Sequence, residues 1–213
     1  MTMFKNRAMP LAALLFVGGV VGTGGVLAAE PTMKAEAVAA GKIPGVGDTA
    51  ADFTLKSPAG NSVKLSSETR KGPVVLVVLR GFPGYQCPVC TAQVGRLISD
   101  APRFANAKAR VILIYPGPAD SLKKRADEFL NGKILPKNFT LLLDPDYKFT
   151  HQYGLRWNAP NETAYPSTFV VDSTRRVTFA KVSRSHGDRA NSADIIKALS
   201  APPAKHAAKM SPS

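Results

Sequence analysis

The residues best suited to chemistry are the only two cysteines of the chain, Cys87 and Cys90, in the segment F-P-G-Y-Q-C-P-V-C-T. They stand three positions apart. A cysteine thiolate can act as a nucleophile or as a metal ligand. The pair could therefore be a structural disulfide, half of a metal site or a redox couple, and the surrounding sequence has to decide among these.

The local sequence favours the redox couple. An apolar run, V-V-L-V-V-L at 74–79, predicts a buried strand, and a Gly-Pro-Gly loop leads from it to a helix. If Cys87 lies near the N-cap, Pro88 occupies the first helical position and Cys90 lies in the first turn. Free backbone N–H groups and the helix dipole then favour the thiolate, with both sulfurs within bonding reach. The pattern predicts an activated nucleophile and a resolving partner.

The other interpretations fit less well. A disulfide closing so short a loop contributes only about 2 kcal/mol by chain entropy. A zinc site would need a second ligand pair, and His151, His186 and His206 are isolated in the sequence. Haem attachment needs a histidine after the second cysteine, where this chain has Thr91. We therefore expect neither a metal ion nor another cofactor.

The elements that position the cysteines alternate along the chain. Buried strands and helices follow one another, with hairpins at both margins, and this predicts an α/β fold with a mixed central sheet covered by helices on both faces. The predicted strands are 52–55, 62–65, 74–79, 111–115, 139–143, 167–171 and 177–182, and the predicted helices are one from the cysteines to Pro102, 121–130, 147–153 and 193–199. These elements form one predicted domain, 43–200.

The two ends of the chain differ from this pattern. Lys5 and Arg7 precede an apolar stretch at 11–21, and small residues follow, which predicts a signal peptide over 1–29 with cleavage after Ala28 or Ala29. An uncleaved anchor is the alternative, but the stretch is short for a bilayer span. We expect an exported protein, periplasmic or extracytoplasmic, without stable membrane insertion after cleavage. An Ala-rich mobile leader at 30–42 and a disordered basic tail at 201–213 complete the predicted organisation.

The charge is strongly basic, with 28 Lys and Arg against 15 Asp and Glu, a net +13. Nucleic-acid binding would call for a basic stripe with interleaved aromatic residues, and the sequence shows none. We interpret the charge as a solvated basic surface that attracts anionic envelope components, and we expect no nucleic-acid partner.

From residue 47 to about 180 the sequence resembles the peroxiredoxin-like redoxins of the alkyl hydroperoxide reductase and thiol-specific antioxidant (AhpC/TSA) family, which have a thioredoxin-like fold. The matching segments are G-D-T-A-A-D-F-T-L at 47–55, F-P-G-Y-Q-C-P-V-C at 82–90, L-L-L-D-P-D at 141–146, Y-G-L at 153–155 and S-T-F-V-V-D at 167–172. Each is short, but their order and spacing together are specific. The resemblance implies a thiol-dependent enzyme.

The resemblance also implies roles for individual residues. In the family motif Pro-x-x-x-Thr/Ser-x-x-Cys, Pro83 matches the proline, Cys90 the peroxide-attacking cysteine, and Cys87 stands at the Thr/Ser position. The family's arginine, three residues before the phenylalanine of the T-F-V-V-D strand, is replaced by Pro166. A proline there is similar to the cis-proline that presents substrate in thioredoxins. Both departures from the family pattern make the reactive centre more similar to that of thioredoxins than to that of peroxidases.

Losing that arginine removes a permanent cation. Arg80 or Arg156 could replace it, although either could equally be solvated or paired with a carboxylate. Tyr85, two residues from Cys87, and Trp157 are candidates for lining the site, and Trp157 also suits a core position.

Two mechanisms follow. In a peroxidase, the Cys90 thiolate attacks the peroxide and Cys87 resolves the sulfenic acid. In a disulfide oxidoreductase, Cys87 attacks a protein disulfide, Cys90 resolves it and Pro166 guides the substrate. Both need a thiol reductant, either a thioredoxin-like protein or a small thiol, and the whole-chain resemblance favours the peroxidase. A third possibility is a non-enzymatic redox sensor or binding module.

Overall fold

The computed structural model describes residues 41–200. The predicted signal peptide, all but the last two residues of the predicted leader and the predicted basic tail lie outside the described residues. Within 41–200, no helix has both the length and the apolar character needed to cross a membrane.

Seven strands form one mixed sheet. Their bounds are β1 Thr54–Lys56, β2 Ser62–Lys64, β3 Val74–Val78, β4 Arg110–Gly117, β5 Phe139–Pro145, β6 Ser167–Val171 and β7 Val177–Val182. The order across the sheet is β2-β1-β5-β4-β3-β6-β7. Strands β3, β4 and β5 are parallel neighbours, and the pairs β1–β2, β1–β5, β3–β6 and β6–β7 are antiparallel. The two predicted hairpins are thus the margins of the sheet.

Six helices accompany the sheet. They are α1 Leu65–Thr69, α2 Pro88–Ser99, α3 Ala101–Asn106, α4 Ala119–Leu130, α5 Lys148–Gln152 and α6 Ser192–Ser200. The sequence did not predict α1 or α3. Pro102 was expected to end a helix, but it lies in the first turn of α3, where a proline lacks no needed N–H group. Helix α4 begins at Ala119 with Pro118 as its N-cap, two residues before the predicted start.

Both faces of the sheet carry a hydrophobic core, which confirms the predicted α/β class. All residues of β3 are buried, and they alternate between the two cores. Val75 and Val77 belong to the core that contains both cysteines together with residues of α2, α3, α4 and α6. Val74, Leu76 and Val78 belong to the opposite core, which includes residues of α1 and α5.

The chain turns sharply between β3 and the cysteines. Gly81 has φ +75°, and a Cβ atom built there would lie 2.1 Å from the carbonyl oxygen of Pro116 in β4. Only glycine fits this combination of a left-handed backbone and a close backbone contact. The loop that carries the cysteines therefore starts at a fixed point beside the carboxyl end of β4.

Candidate active site

Cys87 and Cys90 lie at the start of α2, as the sequence predicted. Cys87 is the N-cap residue in extended conformation, and Pro88 follows in the first helical position. The Cys90 N–H donates to the Cys87 sulfur at 3.4 Å. The Cys87 sulfur thus takes the capping role that Ser or Asp usually plays and receives one of the free N–H groups of the helix.

The Cys90 sulfur has donors from outside the helix. The backbone N–H of Arg80, just after β3, lies 3.4 Å from it, and Nη2 of Arg189 lies 3.7 Å from it. Both cysteines are almost fully buried, with 2% of Cys87 and 1% of Cys90 exposed. The pair is free rather than disulfide-bonded in this structure.

The two thiols have opposite pKa shifts. A hydrogen bond from the Cys90 thiol lowers the pKa of Cys87 to about 5, despite burial, with further help from the Cys90 N–H and the positive charges of Arg189 and Arg80. The same sulfur–sulfur hydrogen bond, together with burial, raises the pKa of Cys90. The sulfur–sulfur hydrogen bond thus favours the thiolate on Cys87 and the protonated thiol on Cys90 in the reduced pair. This order differs from the family motif, which places the attacking thiolate at Cys90.

The guanidinium of Arg80 points away from the sulfurs. Its Nε donates to Glu162 at 2.7 Å, Nη1 to the hydroxyl of Tyr85 at 2.7 Å, and Nη2 to the carbonyl of Asn161 at 2.8 Å. Arg80 is only 2% exposed. The suggestion that its side chain replaces the family arginine beside the sulfurs is wrong, and the carboxylate-paired alternative describes it. Arg80 acts on the sulfurs through its backbone N–H, which donates to Cys90, and through its positive charge, which helps to lower the pKa of Cys87.

Arg156 does not reach the cysteines either. Its Nη1 donates to the carbonyls of Trp157 and Glu162 at 2.6 and 3.1 Å, and its guanidinium lies over the ring of Tyr147. Trp157 stacks on Tyr165 at 4.8 Å between ring centroids. Both residues organise the segment before β6.

The cation beside the sulfurs is Arg189, which the sequence analysis missed. It lies in the segment between β7 and α6, is half-buried, and makes two further hydrogen bonds, from Nη1 to Oε1 of Gln93 at 3.2 Å and from Nε to the carbonyl of His186 at 2.9 Å. The stretch S-R-S-H-G-D-R has no periodicity or motif that would have singled it out. Its position depends on the long-range packing of the α6 end of the chain against α2.

The two prolines singled out by the sequence lie in different loops, one before α2 and one before β6. Pro83 is half-buried in the loop between β3 and α2. Pro166 is buried directly before β6, and its carbonyl accepts the N–H of Ser183. The expectation of a cis-proline is wrong, because no peptide bond within 41–200 is cis. The substrate-positioning roles of both prolines stay predictions.

The loop before Cys87 is tied down by residues that the sequence analysis did not single out. The side chain of Gln86 accepts a hydrogen bond from the hydroxyl of Tyr115 and donates one to the carbonyl of Arg125, both at 2.9 Å. Tyr85 is 49% exposed apart from its contact with Arg80, and Phe82 packs under the guanidinium of Arg125. Contacts with β4, α4 and the residue that follows β3 together hold the loop that leads to Cys87.

The fold and the dithiol define a thioredoxin-like protein with a redox-capable cysteine pair. The AhpC/TSA family profile matches residues 46–180, more than half of the chain. The chain belongs to the AhpC/TSA family, and it is a peroxiredoxin-like thiol peroxidase by that membership. The segments that carried the resemblance, from G-D-T-A-A-D-F-T-L at 47–55 to S-T-F-V-V-D at 167–172, all lie within the matched range.

Solved structures agree on the fold. Peroxidoxin BcpB from Mycobacterium tuberculosis is 24% identical with a TM-score of 0.60, covering 73% of this chain and 96% of that one. The thiol peroxidase from Chromobacterium violaceum is 20% identical with a TM-score of 0.56, covering 76% and 89%. A 1-Cys peroxiredoxin from yeast mitochondria is 15% identical with a TM-score of 0.60, covering 74% and 75%. No curated protein sequence matches the chain significantly.

Proposed function

We propose that this thiol peroxidase reduces a small peroxide through a Cys87–Cys90 dithiol–disulfide cycle. The observation that carries the choice of substrate is the burial of the two cysteine residues, of which 2% and 1% are exposed. A small hydroperoxide can enter such a site, whereas a protein disulfide would have to place one of its own sulfurs in contact with a buried cysteine sulfur.

In the first step the Cys87 thiolate attacks the peroxide. Its sulfur forms a bond to one oxygen, the O–O bond breaks, and the other oxygen leaves as hydroxide or alkoxide and takes a proton from solvent. Cys87 becomes a sulfenic acid. The lowered pKa of Cys87 supports this order, because the thiolate is the nucleophilic form and is already present at neutral pH.

In the second step Cys90 resolves the sulfenic acid. The Cys90 sulfur attacks the Cys87 sulfur, the thiol proton and the hydroxyl leave together as water, and an intramolecular disulfide forms. Two equivalents of an external thiol then regenerate the dithiol and become a disulfide themselves. Support for such a reductant comes from the yeast mitochondrial 1-Cys peroxiredoxin, which is described as resolved through glutathione and thioredoxin systems. We propose a small thiol as the reductant of this chain, because a thioredoxin-like protein would have to reach the same buried sulfur as a protein disulfide.

A disulfide oxidoreductase is the second candidate. It is favoured by the same low pKa of Cys87, since the first cysteine of a C-x-x-C pair attacks the substrate in that chemistry. A passive redox sensor would share the geometry but would not turn over.

The deciding experiment mixes the reduced protein rapidly with hydrogen peroxide and follows both cysteines by mass spectrometry. The proposed cycle gives oxidation far faster than that of a free thiol, with a Cys87 sulfenic acid preceding the disulfide. Cys90→Ser then keeps one peroxide-consuming turnover, and Cys87→Ser loses it.

Other outcomes overturn parts of the proposal. A turnover that survives in Cys87→Ser and is lost in Cys90→Ser would reverse the order of attack. Oxidation no faster than that of a free thiol, combined with mixed disulfides trapped on Cys87 in Cys90→Ser, would instead indicate the oxidoreductase. No redox reaction in any form would leave only the non-enzymatic binding module.

We also propose that the protein is exported. Support comes from the basic start, apolar stretch and small residues over 1–29. The test is fractionation of cells that express the full chain or a variant lacking residues 2–29, with mass spectrometry of the N-terminus. Cleavage after Ala28 or Ala29 in the exported fraction is expected, and an intact N-terminus in the cytoplasm would contradict it.

A further inference from the structure

We propose that Arg189 is a catalytic residue that stabilises the thiolate of Cys90 whenever the Cys87–Cys90 disulfide closes or opens. The inference rests on the proposed dithiol cycle. It assigns to the segment between β7 and α6 the cation that the family motif would supply from the position of Pro166.

Arg189 is the arginine whose geometry suits this role. Its Nη2 lies 3.7 Å from the Cys90 sulfur, which is within hydrogen-bond range for sulfur. Arg80 directs its guanidinium to Glu162, Tyr85 and Asn161 instead. The guanidinium of Arg156 donates to backbone carbonyls.

The guanidinium of Arg189 is held in place before the reaction. Nη1 donates to Gln93, one helical turn beyond Cys90 on α2, and Nε donates to the backbone carbonyl of His186. The ring of His186 in turn lies 2.7 Å from the Glu162 carboxylate. A fixed cation costs no reorganisation when charge develops beside it, which is the arrangement that stabilises a transition state best.

Charge develops on Cys90 in both directions of the cycle. During closure, the Cys90 thiol gives up its proton as its sulfur bonds to Cys87 and water leaves. During reopening, an external thiolate attacks the Cys87 sulfur, the S–S bond breaks, and Cys90 leaves with the electron pair as a thiolate. In each case the negative charge lies between the Arg80 N–H and the Arg189 guanidinium. Because Cys90 is buried, water cannot take their place.

The test isolates Cys90 in a Cys87→Ser background. Its pKa is read from thiolate absorbance and from the pH dependence of alkylation by iodoacetamide. Adding Arg189→Gln is expected to raise this pKa by about 1 unit or more, since an opposite charge within hydrogen-bonding distance shifts a pKa by roughly that amount. Arg189→Lys should recover part of the shift. Arg184→Gln removes the same charge from an exposed position in the same segment, over the ring of Tyr165, and serves as the matched control.

A second readout uses the complete dithiol. In Arg189→Gln, the conversion of the Cys87 sulfenic acid to the disulfide should slow roughly tenfold, because one pKa unit of lost stabilisation corresponds to that factor. The first oxidation step should slow less. Circular dichroism checks that the variant is folded.

An unchanged Cys90 pKa in folded Arg189→Gln, or an equal shift in Arg184→Gln, would overturn the inference. The titration uses no peroxide, so it can succeed even if the proposed peroxidase activity is absent, and the two proposals fail separately.

Discussion

At the residue scale, the site depends on a difference between two identical side chains one helical turn apart. Cys87 caps the helix and accepts a backbone N–H, whereas Cys90 lies inside the first turn against the end of β3. The hydrogen bond between the sulfurs lowers the pKa of one thiol and raises that of the other. The pair therefore holds a nucleophile and a proton donor together.

We expect this difference to appear in the pH dependence of alkylation. With a Cys87 pKa of about 5, the rate of its reaction with iodoacetamide should be level from pH 6 to 8 and fall as the pH drops below 5. Cys90→Ala removes the sulfur–sulfur hydrogen bond but keeps the backbone N–H, so the pKa should rise towards the ordinary value of roughly 8.5. A single profile with a midpoint near 8.5 in the unmodified protein would contradict the assignment.

At the scale of elements, α2 is placed by the turn that follows β3. Gly81 lies so close to the carbonyl of Pro116 that an added Cβ would overlap it, and the Arg80 N–H that faces Cys90 belongs to the preceding residue. Strand β4 thus sets where the cysteines lie relative to their hydrogen-bond donors, which come from Arg80, Cys90 and Arg189 rather than from β4.

Gly81→Ala should therefore disturb both stability and chemistry. The added Cβ meets backbone rather than a flexible side chain, so we expect the free energy of unfolding to fall by several kcal/mol. This exceeds the roughly 1–2 kcal/mol that it costs to place an alanine in the left-handed backbone region. Gly60→Ala is the matched control, because Gly60 has φ +88° in the β1–β2 hairpin but nothing within 4 Å of an added Cβ. Urea unfolding and Cys87 alkylation measure the two effects. Equal losses of stability in both variants would show that the contact with Pro116 is unimportant.

At the scale of the whole molecule, the low pKa of Cys87 couples folding to redox state. The folded pKa, about 5, lies below the unfolded value of roughly 8.5. The unfolded chain therefore binds more protons between these values, and the reduced protein gains stability as the pH rises through that window. The gain is complete above the unfolded pKa and is lost as the pH falls through the folded one.

The disulfide form has no such thiol. The unfolding free energy of the reduced protein minus that of the oxidised protein should increase by about 1.4 kcal/mol per pH unit within the window. Denaturant unfolding of both forms at pH 5.5, 6.5 and 7.5 measures this difference. The contributions of other titrating groups, such as Glu162, largely cancel between the reduced and oxidised forms. A Cys87→Ser protein under reducing conditions should lack the slope, and a flat difference for the native pair would contradict the coupling.

Much of the fold was predictable because the strands are strongly patterned. The apolar run before the cysteines is a fully buried strand, and both marginal hairpins formed with the expected partners. Helices α1 and α3 were missed because each is a short turn of chain without an apolar period of its own. They form because Leu65 and Phe104 are buried against the sheet.

By itself the sequence determined the chemistry and the local geometry of its centre: a strand, a turn and a helix whose N-cap and first turn carry the two thiols. These depend on neighbours within about twenty residues. The tertiary structure decided which groups contact the sulfurs. Arg189 comes from a segment 99 positions beyond Cys90, and the guanidinium of Arg80 is bound by Glu162, which is 82 positions away in the sequence. A basic chain offers many arginines, and only packing selects the one that faces a buried sulfur.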